Sequence, residues 1–341
     1  MPSLSKSLFL SIVLVGGLLV PGAASAQPQL NLVIGYSPGA IYDAYGRIVA
    51  RHLGKHLPGN QTVVVQNMPG AGSLRAANYL YVVAPKDGST IGLFARGMGM
   101  QPLLDPQGVQ FDAQKFNWLG STSDEVSVVL ASSAGPFKTI EDARSREMVV
   151  SASGSGSDTA IFPYILNGVI GTKFKVVTGY PGNAEMLLAV ERGEVDGNAG
   201  TSWTTLVSIK ADWVRDKKIN VLLQMASRKH PDLADVPLAL DLAKREADRT
   251  VLDLIFSRQS MAYPFVAPPD VAPERVAALR NAFEATMKDP QFLAEAKRQN
   301  LDIAPVSAAA IAAIVRRAYA TPDDLIARAQ AVLESGKSTS R

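Results

Sequence analysis

Short apolar runs alternate along this chain with small-residue loops and amphipathic segments. Leu30–Tyr36 (LNLVIGY) runs into Ser37-Pro38-Gly39, and a helical pattern follows over Asp43–Leu57. Thr62–Gln66 (TVVVQ) runs into Asn67–Ser73 and a helix over Leu74–Val83, and Thr90–Ala95 runs into Arg96–Gly99. The order recurs in Met148–Ala152, the loop Ser153–Asp158 and a helix over Thr159–Val169. It recurs again in Lys173–Thr178 with Ala184–Arg192 and in Glu194–Ala199 with Trp203–Trp213, before a strand over Asn220–Met225. This alternation predicts an α/β fold, with parallel or mixed sheets flanked by helices. Runs that are apolar at every position suit sheets buried on both faces.

Beyond Pro231 the pattern changes. Met261–Ala267 reads as one more strand. Helices follow over Ala272–Lys288, Phe292–Asn300, Ser307–Tyr319 and Pro322–Gly336, with Gly336–Arg341 as a frayed tail. Pro273 in a first turn and Asp289-Pro290 after a last one are ordinary helix signals. No strand–helix unit with its own loop stands out here, so the segment is expected to complete the first domain.

The N-terminus has a different character. Lys6 precedes the apolar run Leu8–Val20, Pro21-Gly22 break it, and Ala24-Ser25-Ala26 offers a small-x-small cleavage site. That is a signal-peptide pattern over residues 1–26, implying periplasmic export. The run is shorter than the ~20 residues a membrane-spanning helix needs.

Composition narrows the function further. The chain has 341 residues, 47% apolar and 19% charged, too apolar for disorder and long enough for two cores. It has no cysteine, which removes disulfides, thiolate nucleophiles, Cys-ligated metals and a lipid-anchored N-terminal Cys. The net charge of +3 is the difference of 34 scattered basic and 31 scattered acidic residues, so nucleic acid is not an expected partner.

In open α/β sheets, ligands lie beyond the carboxyl ends of strands. Helix N-termini there present free N–H groups and a positive dipole end, which favour anions. The candidate ligand-binding residues are Tyr36, Ser37, Pro38, Gly39, Ala40 and Asp43 in the first loop and Pro69, Gly70, Ala71, Gly72 and Ser73 in the second. Arg96 and Gly97 follow the third strand, and Ser153, Gly154, Ser155, Gly156, Ser157 and Asp158 form a later loop. Tyr180, Asn198 and Trp203 complete the set. Asp43 fits a helix cap as well as a ligand contact, Arg96 an ordinary surface arginine as well as a carboxylate partner, and Trp203 core packing as well as a ligand cover.

Rival chemistries find little here. The Ser153–Ser157 run lacks the Gly-x-Ser-x-Gly spacing of a nucleophile elbow, although a secreted serine hydrolase is the rival from another class. Neither the P-loop nor the dinucleotide fingerprint is present. His52 and His56, four apart beside Arg51 and Lys55, make at most half a metal site and read as an exposed helix face. No catalytic residue, metal or cofactor is expected.

Taken in order, the motifs resemble the substrate-binding receptors of the tripartite tricarboxylate transporter family, also called Bug-type periplasmic binding proteins. Tyr36-Ser37-Pro38-Gly39-Ala40-Ile41-Tyr42-Asp43 stands where that family has a strand and Pro-Gly-Gly-x-x-Asp. Asn67-Met68-Pro69-Gly70-Ala71-Gly72-Ser73 is similar to its Asn-x-Pro-Gly-Ala-Gly-Gly, and Ala84-Pro85-Lys86-Asp87-Gly88 to its Pro-Asp-Gly turn. Gly193-Glu194-Val195-Asp196, His230–Pro237, Pro273-Glu274-Arg275-Val276 and Asp289-Pro290 continue the match.

The resemblance implies a two-lobed type II periplasmic-binding (Venus flytrap) fold. Residues 27–125 and 227–341 would form lobe 1 and residues 126–226 lobe 2, with crossings near Asp124 and Ala226. It further implies capture of a small carboxylate by backbone groups and ordered water of the first two loops, and delivery to membrane permease subunits. A membrane sensor kinase is the alternative partner. One departure stands out: Ala40 replaces a glycine and bulky Ile41 follows. Either the loop has a different shape or the pocket is smaller and more apolar, which suggests a ligand with apolar character beside its carboxylate.

Overall fold

Two mixed sheets organise the computed structural model, which describes residues 29–153 and 157–339. Residues 1–26, read above as a signal peptide, and Gly154, Ser155 and Gly156 lie outside the described residues. The strands are β1 (Gln29–Ile34), β2 (Thr62–Asn67), β3 (Thr90–Leu93), β4 (Asn117–Ser121), β5 (Ser127–Ser132), β6 (Met148–Ser151), β7 (Phe174–Val177), β8 (Gly197–Ser202), β9 (Ile219–Met225), β10 (Pro264–Ala267) and β11 (Val306–Ser307). One sheet has the order β11-β4-β10-β3-β1-β2 and the other β7-β6-β8-β5-β9. The βα units pair in parallel, β1 with β2 and β3, and β6 with β7 and β8. Strands that enter after a passage between the sheets run antiparallel, as β10 does against β3 and β4, and β5 against β8 and β9.

Burial follows the apolar runs. Leu30, Leu32 and Ile34 of β1 pack with Ile48, Val49 and Leu53 of the helix Ile41–Leu53 and with Leu279 and Phe283 of the helix Pro273–Lys288. In the second sheet Val128 and Leu130 pack on Leu187 and Val190 of the helix Asn183–Glu191. Each such side chain contributes roughly 1.5–3 kcal/mol of burial.

Several expectations need correction. β4, β5 and the helix Glu246–Phe256 have no counterpart in the pattern reading, because NWLGS is only partly apolar and the helix starts among charges. The strand expected over Glu194–Ala199 is Gly197–Ser202, whose sequence GNAGTS shows no apolar run but is buried throughout. The helix expected over Trp203–Trp213 is two, Trp203–Ile209 and Ala211–Arg215, broken at Lys210. The last helix spans Asp323–Thr339 instead of fraying at Gly336, because it packs on the helix Asp158–Ile170. There Gly168 lies against Val332 and Gly336 against Tyr164, too close for a β-carbon at either glycine.

The chain passes between the sheets twice, and the passages lie side by side. The link from β4 to β5 pairs with the turn Ser257–Met261 and with Ala262 through Glu125 N–H to Gln259 O (2.9 Å) and Ala262 N–H to Ser123 O (3.1 Å). Gln259 Nε2 also donates to Ser127 Oγ (2.8 Å).

Candidate ligand cleft

The first two loops are tied together by side chains that sequence reasoning had offered to a ligand. Asp43 is buried and accepts hydrogen bonds from Gly39 N–H, Arg47 Nε and Asn67 Nδ2, each at 2.8 Å. Asn67 Nδ2 also donates to Tyr36 O (2.9 Å). Burial opposes the Asp43 charge, but Arg47 and the other donors outweigh it and hold the carboxyl below its ordinary pKa. Ser73, fully buried with φ 82°, donates from Oγ to Gly35 O and accepts from Ala95 N–H, both at 3.1 Å. It thereby joins the ends of β1, β2 and β3. The left-handed position of the first loop falls on Gly39 (φ 83°), while Ala40 is extended at φ −71°. Alanine therefore brings no backbone strain, and it is the loop's shape that accommodates it.

The second sheet contributes a matching edge. Asn198, fully buried, donates to Ser151 O (2.9 Å) and accepts from Thr201 N–H (3.0 Å) and Oγ1 (2.8 Å). Ser153 N–H donates to Thr159 Oγ1 (3.2 Å), which lies 2.7 Å from Ser157 Oγ. Ser202 caps its helix by accepting from Thr205 N–H (3.1 Å).

Between these edges lies a cleft of about 930 Å³. Helix starts from both sheets reach it: Ala40, Ile41 and Tyr42; Ser157, Asp158 and Thr159; Gly182 and Asn183; Ser202 and Thr205. Each brings the positive end of its dipole to the cleft, although in the helix Trp203–Ile209 Thr205 N–H is taken by Ser202 Oγ and Trp203 N–H by Val126 O. Tyr36 stacks on Tyr42 at 4.3 Å, and Tyr42 meets Tyr263 edge-on at 5.0 Å. Burial raises the Tyr36 phenol to about 12 and raises Tyr42 and Tyr263 as well, so these rings stay neutral hydroxyls at neutral pH.

A charged cluster lies against the rings. Arg96 reaches Glu125 Oε2 with one nitrogen (2.7 Å) and Asp158 Oδ2 with another (2.8 Å). Tyr263 OH donates to Glu125 Oε1 (2.9 Å). Arg258 approaches Asp158 Oδ1 more loosely, at 3.4 Å. Burial opposes the charge on Arg96, yet Asp158 and Glu125 prevail and hold its pKa well above the usual value. For Arg258 burial prevails and lowers it, despite Asp158.

Of the sequence-selected residues, Tyr36, Ala40, Ala71, Gly72, Arg96, Gly97, Ser153, Ser157 and Asp158 line the cleft. Ser37, Pro38, Gly39, Asp43, Pro69, Gly70, Ser73, Tyr180, Asn198 and Trp203 are not among the lining residues. Of these, Asp43, Ser73 and Asn198 brace the loops, and Trp203 packs in the core with Leu206 and Trp213. Arg96 is no surface arginine, being engaged by two acidic side chains. Sequence reasoning missed Glu125, Arg258 and Tyr263, which sit on the two passages between the sheets and carry no loop motif. Tyr42 and the apolar lining residues Met98, Ile161 and Met186 were missed too.

The cleft suits binding more than nucleophilic catalysis. No histidine lines it, so Ser153 and Ser157 have no imidazole base within it. His52 and His56 are not on an exposed face: His52 is buried, and the pair contacts Glu295 (2.7 Å) and Asp289 (3.1 Å) in a seam between helices. Among the described residues no cluster of three or more His, Asp or Glu could hold a metal, and no helix is long and apolar enough to cross a membrane.

Comparisons with known proteins agree with this geometry. A family model described as the tripartite tricarboxylate transporter family receptor matches residues 46–330. A curated protein of Cupriavidus necator, the UPF0065 protein in the gbd 5' region, is 25% identical over 274 residues, covering 78% of this chain and 76% of its own. A solved solute-binding protein from Polaromonas, without ligand, superimposes with a TM-score of 0.67 at 20% identity, over 88% of this chain and 98% of that one. MatC from Rhodopseudomonas palustris with bound malate gives 0.61 at 19%, over 89% and 98%, and an R. palustris protein with adipate gives 0.61 at 19%, over 91% and 97%.

Proposed function

Because the chain belongs to the receptor family of the tripartite tricarboxylate transporters, whose members are solute-binding proteins and not enzymes, we propose that it captures a small carboxylate in the cleft between its sheets and hands it to a membrane permease. The observation that carries this reading is the convergence of helix N-termini from both sheets on one cleft, which stabilises an anion with fixed dipoles. Similar folds solved with malate and with adipate support the ligand class. The lobes would be built on the two sheets, residues 227–256 packing with the second, and would hinge where the link from β4 to β5 lies beside Ser257–Tyr263, with the C-terminal helix resting on the second lobe. Lobe closure over the ligand would make the form that the permease recognises. Residues 1–26 would direct export to the periplasm, the setting in which a receptor of this family works.

The test is a thermal-shift screen of mono-, di- and tricarboxylates on the mature chain. A true ligand at ~100 times its Kd adds about 2.7 kcal/mol of stability and raises Tm accordingly. If no carboxylate raised Tm while another solute class did, the carboxylate reading would fall.

A further inference from the structure

Among the described lining residues, Arg258 is the cationic side chain that keeps a buried donor without a partner. It sits on the turn Ser257–Met261, beside the passage between the sheets. Its side chain is only 5% exposed yet lines the cleft. Its Nε–H is buried without a partner, and its contact with Asp158 is a long 3.4 Å. A guanidinium offers five N–H donors in a planar fork, and leaving donors buried and unpaired is costly. Arg96 is in the opposite condition, held at short range by both Glu125 and Asp158. Backbone gives way at this place: a β-carbon on Gly97 would lie 2.9 Å from an Arg258 terminal nitrogen.

We propose that Arg258 takes the ligand's carboxylate, and that the cleft accepts one buried carboxylate on an apolar or aromatic body in preference to a di- or tricarboxylate. The inference rests on the carboxylate reading above and sharpens it. Charge arithmetic gives the limit. Arg96 and Arg258 are matched in charge by Glu125 and Asp158, so what Arg258 offers a first ligand carboxylate is unpartnered N–H donors rather than excess charge. A second would find, among the described lining residues, no further cationic side chain beyond Arg96, which Glu125 and Asp158 already hold. Burying an unpaired carboxylate is strongly unfavourable. Part of the lining suits an apolar body, with Ile41, Met98, Ile161 and Met186 in the same wall as the stacked rings of Tyr36 and Tyr42, alongside polar residues such as Gln101 and Asn183.

Titration calorimetry on the mature chain with hexanoate, 3-phenylpropanoate, adipate and hexanamide tests this. The monocarboxylates are expected to bind at least tenfold more tightly than adipate, and hexanamide to bind weakly. Arg258→Gln is expected to weaken monocarboxylate binding by about 10- to 150-fold, the range for a hydrogen bond to a charged group. Asp158→Asn, which removes the competing negative charge, is expected to tighten it several-fold, a sign that mere disruption would not produce. Should Arg258→Gln not fold, Arg258→Lys decides, since it keeps the charge but loses the fork and is expected to lose about tenfold. Equal or tighter adipate binding, or a folded Arg258 variant with wild-type affinity, overturns the inference and leaves the carboxylate reading standing. Absence of binding by every carboxylate removes both.

Discussion

Gly200 shows how one missing side chain positions the cleft. Its φ is 138°, and a β-carbon there would lie 2.7 Å from Thr159 Cα and 3.0 Å from Asp158 O. The backbone of β8 therefore presses directly on the helix start that carries Asp158. Gly171 also has a left-handed φ, 75°, but open space around it. The two positions separate backbone strain from steric conflict. Gly171→Ala is expected to cost only about 1 kcal/mol, the penalty of the left-handed conformation. Gly200→Ala adds overpacking against main chain that cannot move aside, for about 2–4 kcal/mol in all. Urea denaturation of both variants reads the difference, and equal costs would refute the close-approach argument. Neither contact can be read locally: Gly-Thr-Ser at 200–202 looks like any βα turn. Asp43 and Ser73 are the converse case, visible as polar loop residues but spent on the loops themselves.

At the scale of elements, the seam between the helices Ile41–Leu53 and Pro290–Arg298 is held by charge. Glu295 faces Arg51 and His52, while Asp289 faces Lys55 and His56 and also caps its helix through Gln291 N–H. Lys55, despite opposing burial, holds the Asp289 carboxyl far below the ordinary carboxylate range, and His52 and Arg51 lower that of Glu295. A depressed folded pKa contributes stability that is present above the unfolded value of ~4 and is lost as pH falls through the folded values. The urea midpoint is therefore expected to drop as pH falls from about 5 towards 2, and less steeply in an Asp289→Asn/Glu295→Gln double variant. Identical slopes would assign acid sensitivity elsewhere. The spacing of His52 and His56 was visible in the sequence. Their partners were not, because residues more than 230 positions away supply them.

For the whole molecule, the Arg96 cluster joins the two sheets. Arg96 follows β3, Asp158 begins the helix after β6, and Glu125 lies on the passage between them. Removing one member of a buried charge group strands the others, at a cost of about 3–5 kcal/mol. Arg96→Gln is expected to lower stability by that order and to enlarge the radius of gyration in small-angle scattering, as two carboxylates lose their shared cation. A destabilised variant of unchanged radius would mean that other contacts hold the sheets together.

The sequence by itself determined the α/β class, the order of most strands and helices, the loops at the strand ends and the family resemblance. These are legible because periodicity, turn chemistry and motif order are local properties of the chain. The tertiary structure decided which loop residues face the cleft and which brace it. It placed Arg96 between partners 29 and 62 positions away, and set Arg258 against Asp158 across 100 positions. Those pairings exist only because the chain passes between the sheets twice and lays the passages side by side, so that groups distant in sequence share one buried site. Burial and the neighbouring carboxylates then act together on the two arginines, which composition cannot show.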